Sequence, residues 1–157
     1  MRLAPYLVGL TLAGLVLAPL LLAAAPAEAA TRGLPSGLAD TRRECSACHV
    51  LYPPELLPAR SWQALTSHLS THFGEDASLD APTTAAITKY LVDHAADSRY
   101  GSRDVMWHLS PTQTPQRITD MPFWRSIHRR LLQPGVGTGP GIRTAADCAR
   151  CHDVRSE

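Results

Sequence analysis

The sequence predicts a mainly α protein, a few short helices joined by long loops, with no sheet. Three observations predict it. Apolar residues recur at helical spacing in three windows, starting near Ser61, Asp80 and Asp120. No run alternates apolar and polar residues as a half-buried strand does. Ten glycines and 13 prolines punctuate the 157 residues, so each helix must stop early.

The chain opens on a targeting pattern. Arg2 precedes an apolar stretch, Leu7 to Ala25, broken only by Gly9, Thr11, Gly14 and Pro19, and Ala27-Glu28-Ala29 supplies the small residues a signal peptidase needs. We expect a signal peptide over 1–29, a mature domain over 30–157 and a periplasmic location. The alternative is an uncleaved membrane anchor, since the stretch approaches the length that spans a bilayer; the remainder faces the periplasm either way. The mature segment suits one small domain, or two haem lobes at about 30–100 and 101–157. Net charge is +1, Lys89 is the only lysine, and no basic run argues for nucleic acid. Aromatic residues make up 6% of the chain, so side chains alone offer little bulk for a core.

All four cysteines fall in two CxxCH motifs, Cys45-Ser-Ala-Cys48-His49 and Cys148-Ala-Arg-Cys151-His152. Four cysteines in an exported chain first suggest two disulfides, but disulfides have no reason to repeat a histidine directly after each pair. Covalent haem attachment does require it: two thiols on one helical turn add to the two vinyl groups of a porphyrin, and the adjacent imidazole falls under the iron. A zinc site or a redox-active CxxC pair uses the same residue types. Neither needs His49 and His152 at the same offset, and no βαβ pattern surrounds the pairs. The sequence therefore predicts a small class I-like c-type cytochrome architecture, with short helices wrapped around two haem c groups.

The elements follow in order. Thr31 to Asp40, rich in small residues, reads as a linker, and the first motif as a short helical turn ending near His49. Tyr52-Pro53-Pro54 then forces extended chain and shapes the wall beside the first haem. Ser61 to Phe73 reads as a helix with Ser61 as N-cap, Gly74 as stop, and a stripe of Trp62, Leu65, Leu69 and Phe73. A second helix starts at Asp80 with Pro82 inside it, carrying Ile87, Tyr90, Leu91 and His94 on one face. Ala95 to Thr119 reads as a surface loop with a turn near Val105-Met106-Trp107. A third helix follows Asp120, with Trp124, Ile127, His128 and Leu131 on its apolar face. Pro134 to Gly141 is a flexible loop, and the second motif sits on a short helix from about Arg143 to His152.

The second axial ligand of each iron separates a closed electron carrier from a site that binds small molecules. His68, His72, His94, His108, His128, Met106 and Met121 are the candidates. On the first helix, at about 100° per residue, His72 lies roughly 65° from the stripe centre and His68 roughly 105°. His128 lies within its own apolar face, with Arg125, Arg129 and Arg130 free for haem propionates. His94 is as well placed by spacing as either. Trp62, Phe73, Tyr90, Trp107, Phe123 and Trp124 are candidate porphyrin-packing aromatics, each equally explicable as ordinary core.

The runs Glu44-Cys-Ser-Ala-Cys-His-Val-Leu-Tyr-Pro-Pro-Glu-Leu-Leu-Pro-Ala-Arg-Ser-Trp62 and His72-Phe-Gly-Glu-Asp-Ala-Ser-Leu-Asp80 carry a resemblance. So do Tyr90-Leu, Ala95-Ala-Asp97, Arg117-Ile-Thr119, Trp124-Arg-Ser-Ile-His128-Arg129 and the second CxxCH motif. Together they resemble the small dihaem cytochrome c family of bacteria over nearly all of the mature chain. The resemblance implies two low-spin bis-histidine haems, with His72 and His128 as distal ligands and His94 as the fallback. It also implies redox partners such as a membrane cytochrome b and an oxygen-binding monohaem cytochrome. His72 with His49 and His128 with His152 is the simpler pairing along the chain; a crossed pairing is the alternative. Gly74-Glu-Asp is expected to steady His72 through its ring nitrogen. The function expected is electron transfer rather than enzymatic turnover. A haem enzyme or sensor with one open distal site, or a small subunit of a periplasmic reductase, are the alternatives.

Overall fold

The structure, a computed structural model, describes residues 36–131, 133 and 144–153. The signal segment, the loop 134–141 and residue 143 lie outside the described residues, and with them the expectations placed there. Among the described residues four α-helices run in order: α1 (Ser36–Cys45), α2 (Ala59–Thr66), α3 (Ala81–Asp93) and α4 (Pro122–Ile127). Single 3-10 turns stand at Pro54–Leu56, Leu69–Thr71, Ile118–Asp120 and Cys148–Arg150. The mainly α expectation holds: among the described residues the only β feature is an isolated bridge between His72 and Glu75. Among the same residues no helix is long and apolar enough to cross a membrane.

α3 is the centre, with α1 packed on one side and α2 on another. Asp80 caps it as the sequence predicts, its carboxylate accepting from Thr83 N–H at 3.0 Å, with Pro82 in the first turn. Ile87 and Leu91 are buried; His94 sits just past the end as C-cap. The segment read as a linker is instead helical from Ser36, and the reason is contact with α3. A Cβ on Gly37 would lie 2.6 Å from both Ala86 O and Tyr90 Cβ, so the two backbones approach where no side chain intervenes. Thr41, fully buried, closes its hydroxyl onto Gly37 O at 2.6 Å.

α2 departs from its prediction at both ends. Ser61 is not the N-cap but lies inside the helix, fully buried, with its hydroxyl unpartnered. The first N–H of the helix, on Ala59, is met instead by Asp97 Oδ1 at 2.7 Å, across 38 residues of chain. The helix stops at Thr66 rather than Phe73. Thr66 Oγ1 donates to Trp62 O at 2.9 Å, and Ser67 Oγ and His68 Nδ1 both donate to Ala64 O, at 3.0 and 2.9 Å. Side chains that compete for helix carbonyls in this way shorten helices.

The core joins Leu57, Trp62 and Leu65 around α2 to Ile87 and Leu91 of α3. Ala95, Ala96, Val105, Met121 and Trp124 complete it. Residues 95–119 are thus only partly a surface loop; the turn near Val105 forms and buries that valine. α4 is shorter than expected, and Ile127, placed on its apolar face by periodicity, is 70% exposed. Of the ten buried apolar residues among those described two are alanine, a small core that leaves Phe73, Trp107 and Ile127 uncovered.

Candidate haem sites

The first motif leaves the end of α1. Cys45 is the last helical residue, and Cys48 and His49 sit exposed in the turn that follows. His49 Nδ1 lies 2.7 Å from Val50 O. A carbonyl only accepts, so Nδ1 carries the hydrogen and the Nε2 lone pair is left for a metal. Tyr52 stacks on the His49 ring at 5.0 Å between centroids.

His72 also faces His49, ring centres 6.4 Å apart. Its position is built by the abrupt end of α2. The 3-10 turn Leu69–Thr71 is followed by a reversal in which Glu75 N–H donates to His72 O at 3.1 Å and Ala77 N–H to Leu69 O at 2.9 Å. The reversal puts Phe73 at φ 52° and Gly74 at φ 102°. Glycine takes such a φ freely; phenylalanine does so at a cost of about 1 kcal/mol. The edge of Phe73 then rests against His72, and Arg117 covers the Phe73 ring at 4.2 Å. His72 Nδ1 is buried without a hydrogen-bond partner, so no carboxylate steadies the ring as the sequence suggested. Asp76 is engaged with Ser78 N–H, and Glu75 acts through its backbone. Burial, and then the neighbouring His49, hold the His72 imidazole below its ordinary pKa. It therefore stays neutral, the form able to bind a metal.

The second motif repeats the arrangement. His152 follows the 3-10 turn Cys148–Arg150, its N–H donating to Cys148 O at 2.9 Å. His128, the C-cap of α4, stands 6.0 Å from the His152 ring. His128 stacks on buried Trp124 at 4.3 Å and donates from Nδ1 to Trp124 O at 3.0 Å, again leaving Nε2 free.

Among the described residues no other histidine has a ring contact with His49 or His152. His94 lies between Tyr90 and Tyr100, ring centres 4.6 and 5.4 Å away, with Nδ1 bonded to Tyr90 O. His68 is bound to its own helix end, and His108 packs on Trp107. Met121 is fully buried in the core. Of the predicted porphyrin aromatics, Trp62 and Trp124 are core, with Trp62 Nε1 donating to Pro54 O at 2.7 Å.

These residues fit two haems. Two imidazoles on opposite sides of one iron have ring centres about 6 Å apart, taking about 2 Å per metal–nitrogen bond and about 1 Å from nitrogen to ring centre. Both observed separations match. Among the described residues no three His, Cys, Asp or Glu side chains converge as zinc needs. Two imidazoles suffice for a haem, because the porphyrin supplies the other four ligands. No disulfide joins any of the four cysteines. Burial first, then Glu44, raises the Cys45 pKa, and burial raises that of Cys148, the opposite of a redox-active CxxC pair. A hollow of mixed polarity opens at His72, lined also by Leu65, His68, Thr71, Phe73 and Gln116, and a more apolar one is lined by Val105, Trp107, Phe123 and Ile127.

The comparisons point the same way. Residues 41–157 match the family described as dihaem cytochrome c. The fold is similar to a diheme cytochrome c from Rhodobacter sphaeroides, at 44% identity and TM-score 0.63, covering 73% of this chain and 89% of that one. A second structure of DHC from the same organism is 43% identical, with TM-score 0.58 and coverages of 73% and 88%. A diheme cytochrome type c from Shewanella baltica is 35% identical, with TM-score 0.55 and coverages of 76% and 83%. No curated protein matches.

Proposed function

Because the chain belongs to the dihaem cytochrome c family, and so is an electron-transfer haem protein with two haem c groups, we propose that it is a closed periplasmic relay. In this reading Cys45 and Cys48 hold one haem and Cys148 and Cys151 the other. His49 and His72 ligate the first iron, and His128 and His152 the second. One observation carries it: each motif histidine faces one further imidazole at a ring separation of about 6 Å.

Each haem, when bound, supplies a one-electron iron couple. The rest is the work of the chain. His72 and His128 would occupy the coordination sites that oxygen or peroxide would need, which argues against turnover. Two imidazoles in place of an imidazole and a thioether set a low reduction potential. The Val50 and Trp124 carbonyls fix the tautomers of His49 and His128. Candidate partners are a membrane cytochrome b and an oxygen-binding monohaem cytochrome. Export by the N-terminal segment places the protein in the periplasm.

Optical and EPR spectra of the wild type, His72→Ala and His128→Ala test the ligand set. We expect a wholly low-spin wild type that does not bind CO when reduced, and one opened, CO-binding haem in each variant. A high-spin wild type refutes the closed relay; variants that both stay low-spin refute the assignment of these two histidines.

A further inference from the structure

Tyr52 touches both haem sites. Its ring lies on His49, centroid to centroid 5.0 Å and 26° from parallel. Its hydroxyl donates to Ala146 O at 3.0 Å, across 94 residues of chain. The same carbonyl accepts the N–H of Cys148 at 2.9 Å. Both lone pairs of Ala146 O are therefore engaged, one by the first site and one by the first cysteine of the second.

The second motif is held in part by its own short turns. Its backbone hydrogen bonds close within the segment: Asp147 N–H to Thr144 O, Cys151 N–H to Cys148 O and His152 N–H to Cys148 O. The turn that carries Cys148 is only three residues long. A side-chain bond reaching it from residue 52 thus fixes where the segment stands relative to the first motif. Tyr52 is half-buried, and its phenol O–H is the donor in this bond.

We propose that Tyr52 is a positioning residue shared by the two haem sites: its ring orients His49, and its hydroxyl holds the Ala146–Cys148 turn from which the second haem hangs. The proposal rests on the haem attachments given above. It makes the two sites mechanically dependent on one side chain, because the two functions reside in different atoms of it. Groups that orient an axial ligand or control solvent access tune the potential of the metal.

The separation of ring from hydroxyl makes this testable on the haem-loaded protein. Tyr52→Phe keeps the stack and removes the hydrogen bond. It should speed amide exchange in residues 144–152 about fivefold, the value of one net hydrogen bond. It should also lower the midpoint potential of the His152 haem, as water gains access to it, and leave the His49 haem unmoved. Tyr52→Leu removes both contacts and should lower both potentials. The two haems are told apart by the spectra of His72→Ala and His128→Ala. Unchanged exchange with unchanged potentials in Tyr52→Phe would overturn the proposal, as would a shift confined to the His49 haem. A high-spin wild type strikes the ligand reading instead, so the two failures are distinct.

Discussion

Asp97 supplies from a distance what α2 lacks locally, and its removal should be felt at the element that leads to His72. Its Oδ1 accepts the Ala59 N–H at 2.7 Å, and its Oδ2 lies 3.6 Å from Arg60 Nη1. The hydrogen bond is charge-assisted and sits at a helix N-terminus, where losing a capping carboxylate costs about 1–2 kcal/mol. The Arg60 pair is 28% and 35% exposed and long, so solvent screening leaves it about 0–0.5 kcal/mol. Asp97→Ala should therefore destabilise by about 1.5 kcal/mol. Asp97→Asn keeps an acceptor oxygen and is an equally good cap, so it should cost about 0.5 kcal/mol. Urea unfolding of the haem-loaded protein, followed by far-UV circular dichroism, reads both as shifts of midpoint at constant slope. Equal losses in the two variants would refute the capping argument, and a loss under about 0.3 kcal/mol in Asp97→Ala would refute the contact itself.

Three further outcomes follow from the fold. Ser61→Ala should be neutral or stabilising by about 0.5–1 kcal/mol, because the buried hydroxyl has no partner; a loss of about 1 kcal/mol would instead restore Ser61 as the N-cap of α2. Gly37→Ala drives a methyl to 2.6 Å from Ala86 O and Tyr90 Cβ. It should cost about 1–3 kcal/mol in thermal unfolding, and an unchanged midpoint would mean that α1 does not pack on α3 there. For Asp80, hydrogen bonds from the Thr83 amide and then the Thr83 hydroxyl hold the carboxyl below its ordinary 3.8. The unfolded chain then takes up the proton first. The stabilisation is present above 3.8 and is lost as pH falls through the lower folded value. Urea midpoints of Asp80→Asn, which still caps, should fall less steeply with acid than those of the wild type; parallel slopes would discount the effect.

What was legible in the residues was whatever depends on short spacing. Asp80 and Pro82 announce α3 because capping is decided within one turn, and Ile87 and Leu91 are buried where the period puts them. The same local logic failed at Ser61 and along 67–73. There the stripe of Trp62, Leu65, Leu69 and Phe73 was continuous in sequence, but side chains at 66, 67 and 68 bonded back to the helix and ended it. His72 was thus picked out from angles on a helix that does not extend to it. It stands against His49 because of a left-handed turn at Phe73 and Gly74 that periodicity does not encode.

The two CxxCH motifs determined by themselves that the chain carries two haems, since covalent attachment depends on spacing within five consecutive residues and needs no tertiary contact. Tertiary structure alone decided which imidazole meets which motif, why His94 turns instead to Tyr90 and Tyr100, and that Asp97 and Tyr52 reach across 38 and 94 residues. Those are contacts between parts of the chain that only packing around α3 brings together. No pattern along the sequence records them, because each partner is locally an ordinary residue.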